Sequence, residues 1–182
     1  MRKVVVTEFV TLDGVVEAPE KWSFAYWNDE IAQFKHAELF GSDALLLGRV
    51  TYQGFAAAWP SRTDKTGFAD RINSLPKYVV STTMDKVEWN NSRLIKDNIA
   101  TEVAKLKQQP GQDIFIHGSV TLAQTLLQAD LIDQYNLLVY PIVLGQGLRL
   151  FKAGSQAKLK LVEAKPFSSG VVALTYQPVN AE

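Results

Sequence analysis

The 182-residue chain has no cysteine, only two histidines and no excess of charge of either sign. Without cysteine it can form neither disulfides nor thiolate metal sites, and two histidines are too few for a histidine-rich metal cluster. Lysine and arginine together number 19, as do aspartate and glutamate, so no net basic field attracts nucleic acid or an anionic membrane. We therefore expect no bound metal, no nucleic-acid partner and no membrane partner.

Long apolar runs are also missing. No stretch approaches 18 uninterrupted apolar residues, and the N-terminus goes straight into Lys3-Val4-Val5-Val6 without a basic region followed by an apolar signal core. We expect a cytoplasmic protein. No linker-like segment or repeat divides the chain, and a chain of this length buries about 70% of its unfolded surface, so one domain over 1–182 is predicted.

Apolar, β-branched runs alternate with segments of helical spacing, which predicts a three-layer α/β fold around a mixed, mostly parallel sheet of about eight strands. A Ser-Ser-Gly turn joins the last two runs and predicts an antiparallel hairpin at one sheet edge. The predicted strands are 4–10, 44–47, 77–81, 93–96, 114–116, 134–140, 158–163 and 171–176. Four or five helices are expected, near 29–40, 50–57, 68–75, 98–108 and 120–129.

One of these runs, 44–47, passes directly into Gly48, Arg49 and Thr51 at the start of a helix. The first turn of a helix offers unpaired N–H groups and the positive end of the helix dipole to an anion. A guanidinium and a hydroxyl stand at the same place. The pattern favours a phosphate site, with a plain glycine turn as the alternative.

The same order of elements returns after the strand at 114–116. His117 is a strand-end residue, Gly118 permits close approach of a backbone, and Ser119 and Val120 open the next helix. Their N–H groups would face the diphosphate of a nucleotide.

Three hydroxyls in succession, on Ser81, Thr82 and Thr83, follow a third strand. Such hydroxyls bind a phosphate or a ribose, or they cap the turn that follows.

Two acidic residues are candidate site residues. Asp13 follows the first strand, and ligands of open α/β sheets bind outside the carboxyl ends of strands; the alternative is an Asx-type turn residue. Glu30 is in the first turn of the first helix, where an acid usually complements the helix dipole.

The segment 15–27 carries aromatic residues without helical or strand periodicity, among them Trp22 and Trp27. Lids over planar ligands use such residues, and so does a loop pinned to the core. Further on, Leu144-Gly145-Gln146-Gly147 is interpreted as a tight turn, because Leu150 occupies the place of the third glycine of a dinucleotide fingerprint and no helix follows.

Three segments that each follow a predicted strand resemble, as a set, the dihydrofolate reductase superfamily in their order and approximate spacing. They are Gly48-Arg49-x-Thr51, Ser81-Thr82-Thr83 and Gly118-Ser119. The chain is most similar to the reductase domain of bifunctional riboflavin biosynthesis proteins and its stand-alone homologues, over nearly its whole length. The segments that carry this closer resemblance are Thr11-Leu12-Asp13-Gly14, Pro76-Lys77-Tyr78-Val79-Val80-Ser81, and the tail from Leu131-Ile132-Asp133 through Pro141 and Gly145-x-Gly147 to Leu150-Phe151.

The resemblance implies an NADPH site. In such a site the helix starts at Gly48-Arg49-x-Thr51 and Gly118-Ser119 hold the phosphates, and residues 81–83 lie near the adenosine ribose and its 2′-phosphate. The nicotinamide would lie at the ends of the first strand and of the 114–117 strand.

By the same resemblance, the substrate would lie between Asp13, the aromatic loop, the first helix and Tyr140. Glu30 falls where dihydrofolate reductases carry the acid that anchors the pterin, and its role would be to hydrogen-bond a heterocycle and support its protonation. Arg62 and Lys65 are candidates for a substrate phosphate by charge alone.

Three functional hypotheses follow. The first is an NADPH-dependent reductase resembling 5-amino-6-(5-phosphoribosylamino)uracil reductase; since the histidine and cysteines of a zinc deaminase are not present, at most the reduction is expected. The second is a dihydrofolate or pterin reductase, favoured if Glu30 points into the pocket. The third is a nucleotide-binding or interaction protein without turnover.

The resemblance and the apolar run at 137–144 also predict a homodimer built on the C-terminal hairpin.

Overall fold

The structure is a computed structural model that describes residues 1–179. Eight strands and five α-helices alternate along the chain, and two single-turn 3₁₀ helices, Pro19–Lys21 and Phe24–Tyr26, lie in the aromatic segment. The elements are β1 (Val4–Thr11), α1 (Asp29–Phe40), β2 (Ser42–Gly48), α2 (Arg49–Ala58), α3 (Phe68–Ser74), β3 (Lys77–Val80), β4 (Ser92–Ile95), α4 (Ile99–Gln108), β5 (Asp113–His117), α5 (Val120–Gln128), β6 (Gln134–Tyr140), β7 (Leu159–Pro166) and β8 (Val172–Pro178).

The strands form one sheet in the order β4-β3-β2-β5-β1-β6-β8-β7. All neighbouring pairs are parallel except β6 with β8 and β8 with β7. The prediction of a three-layer α/β fold with a mostly parallel sheet and a C-terminal antiparallel hairpin is confirmed.

The sheet has a buried core on each face because its central strands are apolar on both sides. Side chains of consecutive strand residues point to opposite faces. Val4 and Val6 pack with one cluster that includes α4 and α5 residues, whereas Val5 packs with another that includes Leu45 and Tyr52. Full burial of such a side chain contributes about 1.5–3 kcal/mol, so the two clusters hold the helical layers on the sheet.

The register of β1 opens a gap in the sheet. β1 pairs with β5 only as far as Thr7 opposite His117, but pairs with β6 as far as Thr11 opposite Tyr140. The last four residues of β1 therefore extend beyond the end of β5. This gap lies at the carboxyl ends of parallel strands, the usual place for a ligand in such a sheet.

The first helix begins where the sequence predicts. The side chain of Asn28 accepts a hydrogen bond from the Ile31 N–H over 3.0 Å and caps α1, and Gly41 follows its last residue. Within residues 1–179, no helix has the length and apolar character needed to cross a bilayer.

Candidate functional site

A cleft with a volume of about 1810 Å³ lies at the carboxyl ends of the parallel strands. It is bordered by the end of β1, by α1, by the first turns of α2 and α5, and by the turn after β3. The described residues contain no cluster of three or more acidic or histidine side chains that could hold a metal ion.

The two glycine turns predicted to bind phosphate meet at this cleft. The Gly48 N–H donates a hydrogen bond to Ser119 Oγ over 2.9 Å. A Cβ on Gly48 would come within 3.4 Å of Ser119 Cβ, and a Cβ on Gly118 within 3.2 Å of Thr51 Oγ1. Gly118 also has φ +57°, so a side chain there would be strained. Two helix N-termini are thus brought side by side, and their first N–H groups have no partner within the helix.

Arg49 and Val120 complete this end of the cleft. Arg49 is exposed, and its guanidinium contacts the Gln53 side chain over 3.4 Å. Val120, the first residue of α5, is buried and also lines the cleft. Gly48, Arg49, Thr51, Gly118, Ser119 and Val120 all border the same space.

The three hydroxyls after β3 divide between two tasks. Ser81 Oγ accepts hydrogen bonds from the Thr83 N–H over 3.2 Å and the Met84 N–H over 3.1 Å, so Ser81 caps the turn. The side chains of Thr82 and Thr83 are exposed, and all three residues line the cleft. Ser81 therefore fits the interpretation as a turn cap, and the exposed Thr82 and Thr83 fit the interpretation as hydroxyls that could contact a ligand.

The gap beside β1 contains two buried polar groups that sequence reasoning did not select. Glu8 and His117 both line the cleft, with relative exposures of 5% and 7%. Glu8 Oε1 and His117 Nε2 have no hydrogen-bond partner among the described residues. Burial raises the pKa of Glu8 to about 8, against the opposing field of Lys35. Burial, with Lys35 adding to it, lowers the pKa of His117 well below its usual value, so the imidazole is neutral.

A buried polar network lies beside Glu8, on the α1 side. Lys35 Nζ is 2.5 Å from Glu38 Oε2 and donates to Thr7 Oγ1 over 2.8 Å. Thr7 Oγ1 donates to Glu38 Oε2 over 2.9 Å, and Asn136 Nδ2 donates to Glu38 Oε1 over 2.8 Å. Thr7 and Lys35 line the cleft, whereas Glu38 does not. The Lys35 ammonium is therefore part of the cleft wall, and its counter-ion, the Glu38 carboxylate, lies behind the wall.

Glu30 does not line the cleft. Its Oε2 accepts hydrogen bonds from Ser168 Oγ over 2.5 Å, from the Ser168 N–H over 2.7 Å and from Asn28 Nδ2 over 3.0 Å. These bonds lower the pKa of Glu30, Ser168 having the largest effect. The expectation that Glu30 faces a heterocycle is not met by its position, since its carboxylate joins α1 to the turn between β7 and β8.

Asp13 also lies outside the cleft lining. It accepts hydrogen bonds from Thr11 Oγ1 over 2.6 Å and from the N–H groups of Leu144 and Gly145 over 3.3 and 2.8 Å. The Thr11 hydroxyl, with the two backbone donors, lowers the pKa of Asp13 to about 2. The structure thus places Asp13 as the group that holds the turn at residue 145, not as a wall of the cleft.

The predicted aromatic residues separate into a buried group and a cleft group. Tyr140 is fully buried, and Trp22 packs against it with ring centroids 5.3 Å apart; neither lines the cleft. Trp27 is 46% exposed, lies 6.4 Å from the Phe9 ring and lines the cleft with Phe24. The lid interpretation therefore has structural support at Trp27, and the pinned-loop interpretation at Trp22.

Of the two basic residues considered for a substrate phosphate, only Arg62 reaches the cleft. Its guanidinium carbon lies 4.9 Å from the centroid of the Trp59 ring, which also lines the cleft. Lys65 is outside the lining.

Comparison with known proteins identifies a family for this chain. The model of the RibD C-terminal domain family matches residues 2–173. YyaP of Bacillus subtilis strain 168, described as uncharacterized, is 32% identical over 182 residues, with 96% of this chain and 94% of YyaP covered.

Solved structures show the same fold at low sequence identity. A protein of Shewanella sp. PV-4 described as a riboflavin biosynthesis protein superimposes with a TM-score of 0.79 at 23% identity, over 98% of this chain and 99% of that one. The deaminase/5-amino-6-(5-phosphoribosylamino)uracil reductase of Thermotoga maritima gives 0.69 at 16% identity, with 98% of this chain but 57% of that chain covered. Dihydrofolate reductase from Enterococcus faecalis, complexed with NADP(H), gives 0.65 at 14% identity over 98% and 97% of the chains. The chain belongs to the RibD C-terminal domain family and has a dihydrofolate reductase-like fold.

Proposed function

We propose that this protein is an NADPH-dependent reductase of a small heterocyclic substrate. The observation that carries the proposal is that two different surfaces, a pair of helix N-termini and a buried gap, line the same cleft. Two adjoining helix N-termini form the first, and the gap beside β1, with uncharged His117 and the unpaired Glu8, forms the second. A dinucleotide has this polarity, with charged phosphates at one end and an uncharged ring at the other.

The residues present fit the phosphates of such a cofactor. A Cβ on Gly48 would touch Ser119 Cβ at 3.4 Å, and one on Gly118 would lie 3.2 Å from Thr51 Oγ1. The two turns are therefore close together, and with glycine at both positions a backbone N–H can approach an oxygen closely. Arg49 and the exposed Thr82 and Thr83 supply a positive charge and hydroxyls for a 2′-phosphate. This arrangement supports a preference for NADPH over NADH.

The other end fits a ring. When bound, the dihydronicotinamide supplies a hydride to an acceptor carbon. Phe9 and the exposed Trp27 give the neighbouring wall an aromatic surface that excludes water from planar groups. The Lys35 ammonium provides a positive charge beside this wall, where it can stabilise negative charge that develops on the substrate.

The proposed substrate class is a nitrogen heterocycle or the imine or carbonyl attached to it, as in 5-amino-6-(5-phosphoribosylamino)uracil. Arg62 is the cleft cation available for a ribose phosphate. Reduction of dihydrofolate is a weaker candidate here, because that hypothesis depended on Glu30, whose carboxylate is engaged by Ser168.

Titration of the protein with NADPH and with NADH, followed by tryptophan fluorescence, tests the cofactor. Trp27 and Trp59 line the cleft, so NADPH should quench them, whereas Trp22 and Trp89 lie outside it. The variant Trp22→Phe is the matched control and should keep the quenching that Trp27→Phe reduces. Turnover with the phosphoribosylaminouracil and with dihydrofolate then separates the two substrates, and binding without any turnover would favour a nucleotide-binding protein without catalysis.

We also propose a homodimer built on the C-terminal hairpin and a cytoplasmic location. In the sheet formed by residues 1–179, β7 is an edge strand that pairs on one side with β8 and on the other with no strand. Its Leu161 and Val162 are 47% and 53% exposed. Exposed apolar residues on an edge strand favour pairing with a second copy. Sedimentation should show a species of twice the 20.2 kDa chain mass, and Val162→Lys should shift it toward the monomer; a wild-type monomer would contradict the dimer.

A further inference from the structure

We propose that Glu8 is the acid that protonates the substrate when the hydride arrives, so that the cleft accepts an imine or carbonyl that is neutral before reduction. This inference rests on the proposed reductase function. It concerns a residue on β1, and it replaces the acid expected on α1.

The position of Glu8 follows from the strand register. It is the first β1 residue beyond the last pair with β5, Thr7 opposite His117, so it stands at the beginning of the gap. Strand alternation puts its side chain on the face opposite to that of Thr7 and Lys35. A group bound in the gap is therefore reached by Glu8 from one face and by the Thr7–Lys35 pair from the other.

The surroundings of Glu8 are unusual for a carboxyl group. It is 5% exposed, lies on the same face as the apolar Val6 and Val10, and has one oxygen without a partner among the described residues. A buried polar atom without a partner costs free energy in the empty protein, and a ligand that supplies the partner recovers it. Since Glu8 is one of the residues that line the cleft, the missing partner is expected on a ligand.

Burial, against the effect of the nearby charge, leaves Glu8 protonated at neutral pH. Lys35 on α1 favours the carboxylate, but burial outweighs it and raises the pKa of Glu8 to about 8. His117 on β5 is neutral, and Glu17 and Glu20, which line the cleft from the aromatic segment, add no positive charge. A group with this pKa is suited to donate a proton near pH 7.

The chemical step balances with the groups named. The hydride leaves its C–H bond on the reduced cofactor and forms a new C–H bond at the imine or carbonyl carbon, and the π electron pair of the substrate moves to the nitrogen or oxygen. That atom takes the proton of the Glu8 carboxyl, whose O–H bond breaks as a new N–H or O–H bond forms. The dihydronicotinamide is oxidised and the substrate reduced, and the Glu8 carboxylate then regains a proton from water in the open cleft.

The test uses the full-length protein and the variant Glu8→Gln, which keeps the size and a hydrogen-bond donor but carries no transferable proton. Glu88→Gln, at an exposed residue outside the cleft, is the matched control. The first readout is the ionisation of the Glu8 carboxyl by isotope-edited infrared spectroscopy of the protein without cofactor. The others are NADPH binding and single-turnover reduction of the phosphoribosylaminouracil as a function of pH.

We expect a carboxylic acid signal that is lost in Glu8→Gln and that titrates near pH 8. Glu8→Gln should bind NADPH within about twofold of wild type and reduce the probe at least about 100-fold more slowly, the contribution typical of a general acid. The wild-type rate should fall above pH 8, and the residual rate of the variant should not follow that titration.

Three results would overturn the assignment: a Glu8 carboxyl already ionised at pH 6, a variant as fast as wild type, or a variant that binds NADPH poorly but reduces at the wild-type rate when saturated. The last would make Glu8 a cofactor-positioning residue. A wild-type protein that does not bind NADPH, or binds it and fails to reduce the probe, would instead reject the proposed function or its substrate class, and the role of Glu8 with it.

Discussion

Gly48 and Ser119, which are 71 residues apart in the chain, are joined by a hydrogen bond of 2.9 Å from the Gly48 N–H to Ser119 Oγ. The bond fixes the end of β2 to the start of α5 and so sets the distance between two helix N-termini. A pyrophosphate that bridges two helices requires such a fixed spacing. The contact itself is structural, and in the proposed function it holds in place the two helix starts that would bind the pyrophosphate.

Ser119→Ala should therefore affect both stability and cofactor binding. Loss of the bond leaves the Gly48 N–H without its side-chain acceptor and should lower the free energy of unfolding by about 1 kcal/mol. NADPH binding should weaken as the two helix starts become free to move. Urea unfolding and fluorescence titration measure the two effects, with Ser74→Ala, at an exposed helix end, as the control. An unchanged dissociation constant would show that the bond does not organise the cofactor site.

Arg49→Ala should weaken NADPH binding without unfolding the protein. Arg49 is exposed and contacts only the Gln53 side chain within hydrogen-bonding distance among the described residues, so little stability depends on it. Loss of a charge-assisted bond to phosphate typically costs about 1.5–3 kcal/mol, or roughly 10- to 150-fold in affinity. Binding of NADPH and NADH is compared by calorimetry, with the exposed Arg93→Ala as the control. If Arg49→Ala unfolds instead, Arg49 has a structural role and the prediction is wrong.

Glu8→Gln should change how stability depends on pH. The folded-state pKa of Glu8 is raised from 4.5 to about 8, so between these values the folded protein holds a proton that the unfolded chain has released. The free energy of unfolding of the wild type therefore falls relative to that of the variant as the pH rises from 4.5 to about 8. Above about pH 8 the difference between the two proteins is constant. At 1.36 kcal/mol per pH unit the full difference is on the order of 5 kcal/mol.

Urea unfolding of wild type, Glu8→Gln and Glu88→Gln between pH 4 and 9 checks this expectation. The stability difference between Glu8→Gln and wild type should grow as pH rises and then level off near pH 8, while Glu88→Gln should track wild type. Parallel curves for all three proteins would mean that Glu8 ionises normally in the folded state.

Lys35→Met should be strongly destabilising. It leaves the Glu38 carboxylate buried, with the Thr7 hydroxyl and the Asn136 amide as its remaining hydrogen-bond partners among residues 1–179. Breaking one side of a buried ion pair typically costs about 3–5 kcal/mol. The double variant Lys35→Met/Glu38→Gln removes the uncompensated charge and should recover part of the loss in chemical denaturation. If the double variant is less stable than the single one, the cost does not come from the unpaired carboxylate.

The strand ends that line one end of the cleft could be predicted because their sequence signals are local. A buried strand, a glycine and a helix start within a few residues, and this order places Gly48 and Gly118 at strand ends in any parallel sheet. The hydroxyls at 81–83 follow the same rule. The contact between the two turns could not be inferred, since it depends on which strands are neighbours.

The acidic residues could not be placed from sequence because their partners are distant in the chain. The Glu30 carboxylate accepts a hydrogen bond from Ser168, which is 138 residues away in the chain, and the Asp13 carboxylate accepts one from Gly145. Glu8 did offer a signal, a carboxylate inside an otherwise apolar strand. Only the register of β1 against β5 shows that this carboxylate borders a gap and not the apolar core.

The central claim is that the cleft binds NADPH, and fluorescence titration of the wild-type protein tests it most directly. The structure predicts saturable quenching of the cleft tryptophans by NADPH, weaker binding of NADH, and loss of that difference in Arg49→Ala. A folded protein that shows no response up to millimolar NADPH would contradict the claim.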